Sequence, residues 1–279
     1  MIMKRNMNKH SLRVLSGLLA VVLLAGCVFS LVSCGSGKTT TDGVLIYAHN
    51  KKDPAGTCRV VGLAEGNTDN SITVPAASPA GETVIGIDDG ALSGNENLYV
   101  LYLPDTLEII GARAFSNDYY LQYVFMPDSV RVIGKEAFYL CVYLQELTIP
   151  ASLTRIEAST FWNCAYITSL TIPSSVTYIG PGAFQDCASL SRVTVSEGVL
   201  EIGDCAFGKD EALKEVTIPS TVKEIGWMAF HGCATLTDIH YNGTQNEWNK
   251  ICDGALFTVG STTIHCTDGD AIGVVKEVK

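Results

Sequence analysis

From Leu98 to Thr235 the chain writes one 23-residue unit six times without a gap: L-x-x-L-x-I-P-x-S-V-x-x-I-G-x-x-A-F-x-x-C-x-x. The units start at Leu98, Leu121, Leu144, Ile167, Leu190 and Leu213, and Leu236 opens a divergent seventh. A period of this length is one supersecondary coil that cannot bury its apolar side alone, so neighbouring coils must stack. Position eighteen is Phe115, Phe138, Phe161, Phe184, Phe207 and Phe230, a ring in every coil. The residue before it is small: Ala114, Ala137, Thr160, Ala183, Ala206 and Ala229. Position thirteen is always Ile, and position fourteen is Gly111, Gly134, Gly180, Gly203 and Gly226, with Glu157 the exception. A recurring glycine marks a bend that a Cβ would hinder. Position seven is Pro in five of the six units, with Ser196 the exception. Proline cannot donate to a ladder and so ends a strand.

Each coil reads as a strand, a proline corner, a short extended piece, a glycine bend and a helical turn. The pattern resembles the BspA-like leucine-rich repeat family of bacterial surface proteins, as units such as LTSLTIPSSVTYIGPGAFQDCAS show. The resemblance implies a β-rich solenoid, a right-handed leucine-rich repeat stack with short strands plus a helical turn per coil. It also implies non-catalytic binding at a cell surface, with adhesion to host extracellular proteins or other cells for some members. Seven to eight rungs at strand spacing predict a stack about 35–40 Å long.

Outside the repeats, residues 1–33 read as an export signal: four cations (Lys4, Arg5, Lys9, Arg13) precede the largely apolar run Val14 to Val32. Leu31-Val32-Ser33-Cys34 and Leu24-Ala25-Gly26-Cys27 both match a lipoprotein-processing site. Cys34 is favoured because the polar GSGKTTTDG follows it, although Leu-Ala-Gly-Cys is the closer motif. An uncleaved membrane anchor is the alternative, since 19 residues barely span a bilayer. Every one of these readings puts the body outside the cytoplasm, in a bacterial envelope. Residues 34–42 are then a flexible tether. Residues 43–97 form a β-hairpin cap and a degenerate repeat, in which Val84, Ile87, Ala91 and Leu92 fit positions ten, thirteen, seventeen and eighteen. About six residues near Ala76 to Gly81 bulge out of it. Residues 236–266 form a closing unit with a short helix over QNEWNKI, Thr244 as its N-cap and Trp248 turned inward. Residues 267–279 are a tail without an assigned place.

Net charge is −10, and −14 once the four cations of the signal are set aside. Such a body repels nucleic acid and anionic lipid, leaving the lipid anchor as the membrane contact. The histidines show no metal-ligand spacing, and no nucleophile elbow, phosphate loop, dinucleotide fingerprint or H-E-x-x-H is present. The expectation is therefore no enzyme, no metal and no cofactor. Cys141, Cys164, Cys187 and Cys233 share a slot that Asp118, Asp210 and Asn95 fill elsewhere, which points to small side chains bonding the bend backbone as free thiols. Cys252 and Cys266 remain open as a disulfide pair.

Binding chemistry belongs to the outward strand positions three and five. Position five runs Tyr102, Phe125, Thr148, Thr171, Thr194, Thr217 and His240, and position three supplies Tyr123. A second stripe at position 23 is Tyr120, Tyr143 and Tyr166, with Tyr139 and Trp162 close by. Contiguous exposed apolar patches mark contacts. Tyr102, Tyr123, Phe125, Tyr120, Tyr143, Tyr166 and Trp162 are thus the candidate ligand-binding residues, for an extracellular protein or, alternatively, a glycan. Packing of these rings on one another, and a purely structural envelope role, are the competing readings. Mass spectrometry of the mature amino terminus is expected to find a lipid-modified Cys34. A first residue at Cys27, or an unprocessed chain, contradicts that assignment.

Overall fold

The computed structural model describes residues 33–34, 37–252 and 262–272. The apolar run and Cys27 lie outside the described residues.

Four antiparallel strands open the chain: β1 (Ser33–Cys34), β2 (Gly37–Thr41), β3 (Leu45–Ala48) and β4 (Thr57–Leu63). Gly37–Thr41, read above as part of a flexible tether, instead pairs with β3 through Thr39↔Ala48 and Thr41↔Ile46. Its three threonines suit a sheet edge as well as a linker, and composition alone did not separate the two. Leu45, Tyr47, Cys58 and Val60 turn inward and cover the first coil. β6 (Thr83–Ile87) then pairs in parallel with β4. Leu92 takes the ring slot of this degenerate coil, its N–H donating to the Ala114 carbonyl.

The coils present two faces of parallel strands. On the longer-stranded face β5 (Ser71–Thr73), β7 (Val100–Tyr102) and β9 (Tyr123–Phe125) stack in order, and further on β12 (Ser169–Ile172), β14 (Arg192–Val195), β16 (Glu215–Ile218), β18 (Asp238–Tyr241) and β19 (Thr263–Cys266) do the same. With the coil at Glu146, which makes a single bridge to Tyr123, nine strand positions are stacked, more than expected. On the second face two-residue strands at the position-thirteen isoleucines pair coil to coil: β8 (Ile109–Ile110) with β10 (Val132–Ile133), and then β11 (Arg155–Ile156), β13 (Tyr178–Ile179), β15 (Glu201–Ile202) and β17 (Glu224–Ile225).

Between the faces runs the seam. Phe115, Phe138, Phe161, Phe184, Phe207 and Phe230 are fully buried and stacked, with successive centroids 5.1, 5.4, 5.3, 5.5 and 5.6 Å apart and interplanar angles of 4–14°. The predicted helical turn is a run of tight turns. Every second N–H closes within the coil, as Ala114 to the Gly111 carbonyl, while those between reach the next coil, as Phe115 to the Ala137 carbonyl at 2.8 Å. That alternation puts positions sixteen and twenty in left-handed backbone, for example Glu136 (φ 59°) and Leu140 (φ 61°).

The position-fourteen glycine is a contact requirement. A Cβ on Gly134 would lie 2.4 Å from the Ala112 nitrogen, and one on Gly180 2.7 Å from the Ala158 nitrogen. Each such glycine donates its N–H to the isoleucine carbonyl of the preceding coil, as Gly134 to Ile110 and Gly180 to Ile156, both at 2.8 Å. Glu157 brings a Cβ to this spot. Among the described residues its N–H makes no such bond, and both sheets lapse there: one ends at β10 and resumes at β11, the other ends at β9 and resumes at β12. The turns stay joined across the gap, with the Phe138 N–H on the Thr160 carbonyl at 2.9 Å.

At the far end α1 (Gln245–Ile251) carries a capping box between Thr244 and Glu247, and Trp248 is buried against Tyr241 at 5.3 Å. The segment left without a place contributes β20 (Gly269–Ile272), antiparallel to β19, and residues 273–279 lie outside the described residues.

Two substitutions separate these roles. Phe184→Ala, in mid-seam, is expected to cost about 3–5 kcal/mol in denaturant unfolding. Glu157→Gly should raise the melting temperature and slow amide exchange at Val132–Ile133 and Arg155–Ile156. A lower melting temperature would show that Glu157 does not cause the lapse.

Candidate functional site

Strand alternation sets the outward face. Along β9 Tyr123 and Phe125 are exposed while Val124 is partly covered, and along β12 Leu170 and Ile172 are buried between exposed Ser169 and Thr171. In-register parallel pairing places Tyr102 against Phe125, and their rings stack at 4.7 Å and 2°. Tyr123 stands beside them and donates its hydroxyl to Gln145 Oε1 at 3.0 Å.

The position-23 stripe forms a second stack: Tyr120 on Tyr143 at 5.8 Å, and Tyr143 on Tyr166 at 4.8 Å. Tyr99 extends it, 6.0 Å from Tyr120, and exposed Tyr119 flanks it. The sequence reading missed both, because they fall at positions two and twenty-two, where no other coil repeats an aromatic. Trp162 stacks on Tyr139 at 4.7 Å, half-buried in the turn, and no ring contact among the described residues joins this pair to the tyrosine stripe. Of the ten exposed large hydrophobics among the described residues, seven (Tyr99, Tyr119, Tyr120, Tyr123, Phe125, Tyr143 and Tyr166) belong to these amino-terminal coils.

The face changes character towards the carboxyl end. Arg192 pairs with Glu215 at 2.8 Å, and His240 approaches the same carboxylate at 3.6 Å. His265 stacks on His240 at 4.8 Å and lies between Asp238 (2.8 Å) and Asp270 (3.0 Å). Donating to these two carboxylates raises the His265 pKa, and the hydrogen bonds that Asp238 accepts from Thr237 and His265 lower its own. This end satisfies its own charges. Among the described residues no group of three or more His, Cys, Asp or Glu side chains is placed to hold a metal, and no helix is long and apolar enough to cross a membrane.

Apart from Tyr47 in the cap and Cys252 in the closing unit, both raised by burial, the strongly shifted ionisable groups lie in the seam, not on this face. The thiols of Cys141, Cys164, Cys187 and Cys233 donate to the phenylalanine carbonyl 26 residues earlier, at 3.0–3.4 Å. All four are free and buried, and burial raises their pKa. Asp118 and Asp210 sit in the same slot and accept backbone N–H groups of Asn95 (2.7 Å) and Cys187 (2.8 Å). Burial pushes Asp118 up to about 8 and raises Asp210 well above the carboxylate range. Shifted carboxyls often mark catalysis. Here each is enclosed between coils, out of reach of any substrate. Cys252 and Cys266 are also free thiols.

The profile described as "BspA type Leucine rich repeat region" matches residues 79–191 and 131–258 in six copies. Among solved structures, the leucine-rich repeat protein TpLRR of T. pallidum is 27% identical, with a TM-score of 0.64 over 71% of this chain and 90% of that one. A leucine-rich repeat protein from Bacteroides ovatus shares the fold at 24% identity and a TM-score of 0.53, over 72% of this chain and 64% of that one. No curated protein matches the chain.

The buried acids give a stability profile with a definite sign. A carboxyl that keeps its proton in the folded state up to about pH 8 (Asp118), but releases it near pH 4 when unfolded, holds more protons folded than unfolded across that range. Its contribution is whole below pH ~4 and is lost as pH rises through ~8. Asp118→Cys and Asp210→Cys, each installing the residue used in neighbouring coils, are expected to raise the melting temperature at pH 8 and to leave it nearly unchanged at pH 4. Equal shifts at both pH values would contradict this.

Proposed function

The chain belongs to the BspA-type leucine-rich repeat family, and on that footing we propose that it is a non-catalytic binding protein of a bacterial cell surface, which makes its contacts through the aromatic face of the amino-terminal coils. Leucine-rich repeat solenoids serve protein–protein interaction, and that class of role is what membership supports. Placement outside the cytoplasm, with a lipid tether at Cys34, rests on the signal and processing motif of the first 34 residues.

The observation that carries the reading is the concentration of exposed rings on one end of one face, where the remaining coils present threonines and neutralised charges. An outward ridge of exposed rings suits a macromolecular contact. Adhesion, to a host matrix protein or to another cell, is the form of binding we favour.

Ring orientation weighs against the glycan alternative. A run of sugar rings stacks on a row of open ring faces, whereas rings stacked 4.7–6.0 Å apart close the faces between them, leave open only the end faces of each stack, as at Phe125, and turn edges and hydroxyls to solvent. Such a ridge is better matched to a polypeptide, which meets ring edges with apolar side chains and hydroxyls with backbone groups.

The test replaces Tyr102, Tyr123 and Phe125 together by Thr, the residue later coils carry at position five. Binding of the exported protein to a panel of immobilised extracellular matrix proteins and glycans is then measured beside its melting temperature. The expected result is a loss of protein binding of tenfold or more with an altered melting temperature of only a few degrees. Unchanged binding with a large drop in melting temperature would show that the rings serve packing alone.

A further inference from the structure

We infer that the aromatic face receives a basic, arginine-bearing polypeptide segment of another protein. The inference rests on the binding role just proposed and specifies the chemistry of its partner.

The first ground is charge. Between residues 60 and 130 the chain carries ten acidic residues and a single cation, Arg113. Arg113 lies in the turn, away from the strand face, and is bound to Glu136. The rings are bordered by exposed Glu96, Asp105 and Glu146, and among the described residues none of these three carboxylates has a hydrogen-bond or ion-pair partner. Register fixes their places. Glu96 precedes Tyr119 by one repeat, Asp105 follows Tyr102 by three residues, and Glu146 bridges to Tyr123. The outward charges at the other end of the same face are already paired.

The second ground is geometry. The Tyr102–Phe125 stack ends at Phe125, because position five of the next coil is Thr148. Phe125 is 49% exposed, and among the described residues no ring lies on the face turned from Tyr102. Glu146, of that same next coil, stands on the same outward face. An open ring face beside an unpaired carboxylate is a seat for a guanidinium, which stacks by its plane and donates by its edge. The molecule uses this arrangement within itself: the Arg155 guanidinium carbon lies 4.0 Å over the Tyr178 ring, and its Nε is 3.2 Å from Glu157. The tyrosine hydroxyls along the ridge accept hydrogen bonds, as the acids do, and arginine is a donor without an acceptor.

The probe is a labelled twelve-residue peptide alternating Arg and Gly, compared with its Lys–Gly and Glu–Gly counterparts and with a neutral oligosaccharide, by fluorescence anisotropy on the exported protein. Binding is expected to be at least tenfold tighter for the Arg peptide than for the Lys peptide, undetectable for the Glu peptide and sugar, and weaker with added salt. Glu146→Gln, and Glu96→Gln with Asp105→Asn, are expected to weaken it severalfold at unchanged melting temperature. The same number of neutralisations at exposed Glu197, Glu211 and Glu224 should leave it intact. Equal affinity for Arg and Lys peptides, equal loss in both sets of variants, or preference for the acidic peptide, the sugar or a second copy of the chain would overturn the inference. If the aromatic variants abolish capture of matrix proteins while the acid variants do not, the basic partner falls and the binding role stands. If neither set affects capture, the binding role itself falls.

Discussion

One interaction recurs coil after coil from Phe115 to Phe207 and the rest of the molecule follows from it: the position-eighteen ring stacks on its neighbours while its own N–H bonds a carbonyl of the next coil. For Phe161 the ring is 5.4 Å from Phe138 and 5.3 Å from Phe184, and the N–H lies 2.8 Å from the Ala183 oxygen. Apolar burial and backbone satisfaction are thus met by one residue, and only if successive coils keep the same length. Six uninterrupted 23-residue units are the consequence. The bulge near Ala76 to Gly81 comes before this run begins, where the cap rather than a full coil is the neighbour.

A seam of this kind fills the interior. Among the groups strongly shifted by burial, Asp118, Asp210 and the slot cysteines lie between coils and bond backbone. They act as parts of the turn, and the same slot accepts Cys, Asp or Asn because each is small and can reach a peptide group. Contact chemistry is left to the outward positions, which the seam does not constrain. There the coils diverge: rings and unpaired acids at one end, a threonine row in the middle, and a closed network of Arg192, Glu215, Asp238 and two histidines at the other.

Where repetition carried information, the fold was legible in the sequence. The phenylalanine spine, the glycine contact, the buried thiol slot and the capped helix with Trp248 were read from residue type and spacing, and the structure shows each one. What escaped was carried by single residues or by backbone. Left-handed φ at positions sixteen and twenty is occupied by Arg113, Glu136, Leu140 and Met228, residues that announce no such conformation, because coil-to-coil hydrogen bonds impose it. Gly37–Thr41 and Gly269–Ile272 pair through backbone with strands whose own patterns said nothing about a further neighbour. Glu157 was visible as an exception, but the lapse of both sheets behind it was not. In the candidate site the two aromatic stripes were legible as position-specific rings. Tyr99 and Tyr119 were not, and neither was the stacking that closes the ring faces.

Residue-resolved amide exchange at Phe138, Phe161 and Phe184 tests most directly whether one seam runs through the stack. Their N–H groups each bond to the following coil, and the first crosses the gap behind Glu157 where both sheets lapse. If the seam holds the coils together, the three amides exchange with one opening free energy, equal to that of global unfolding. A value for Phe138 well below the other two would mean that the amino-terminal coils open on their own, and that the seam does not carry across the gap.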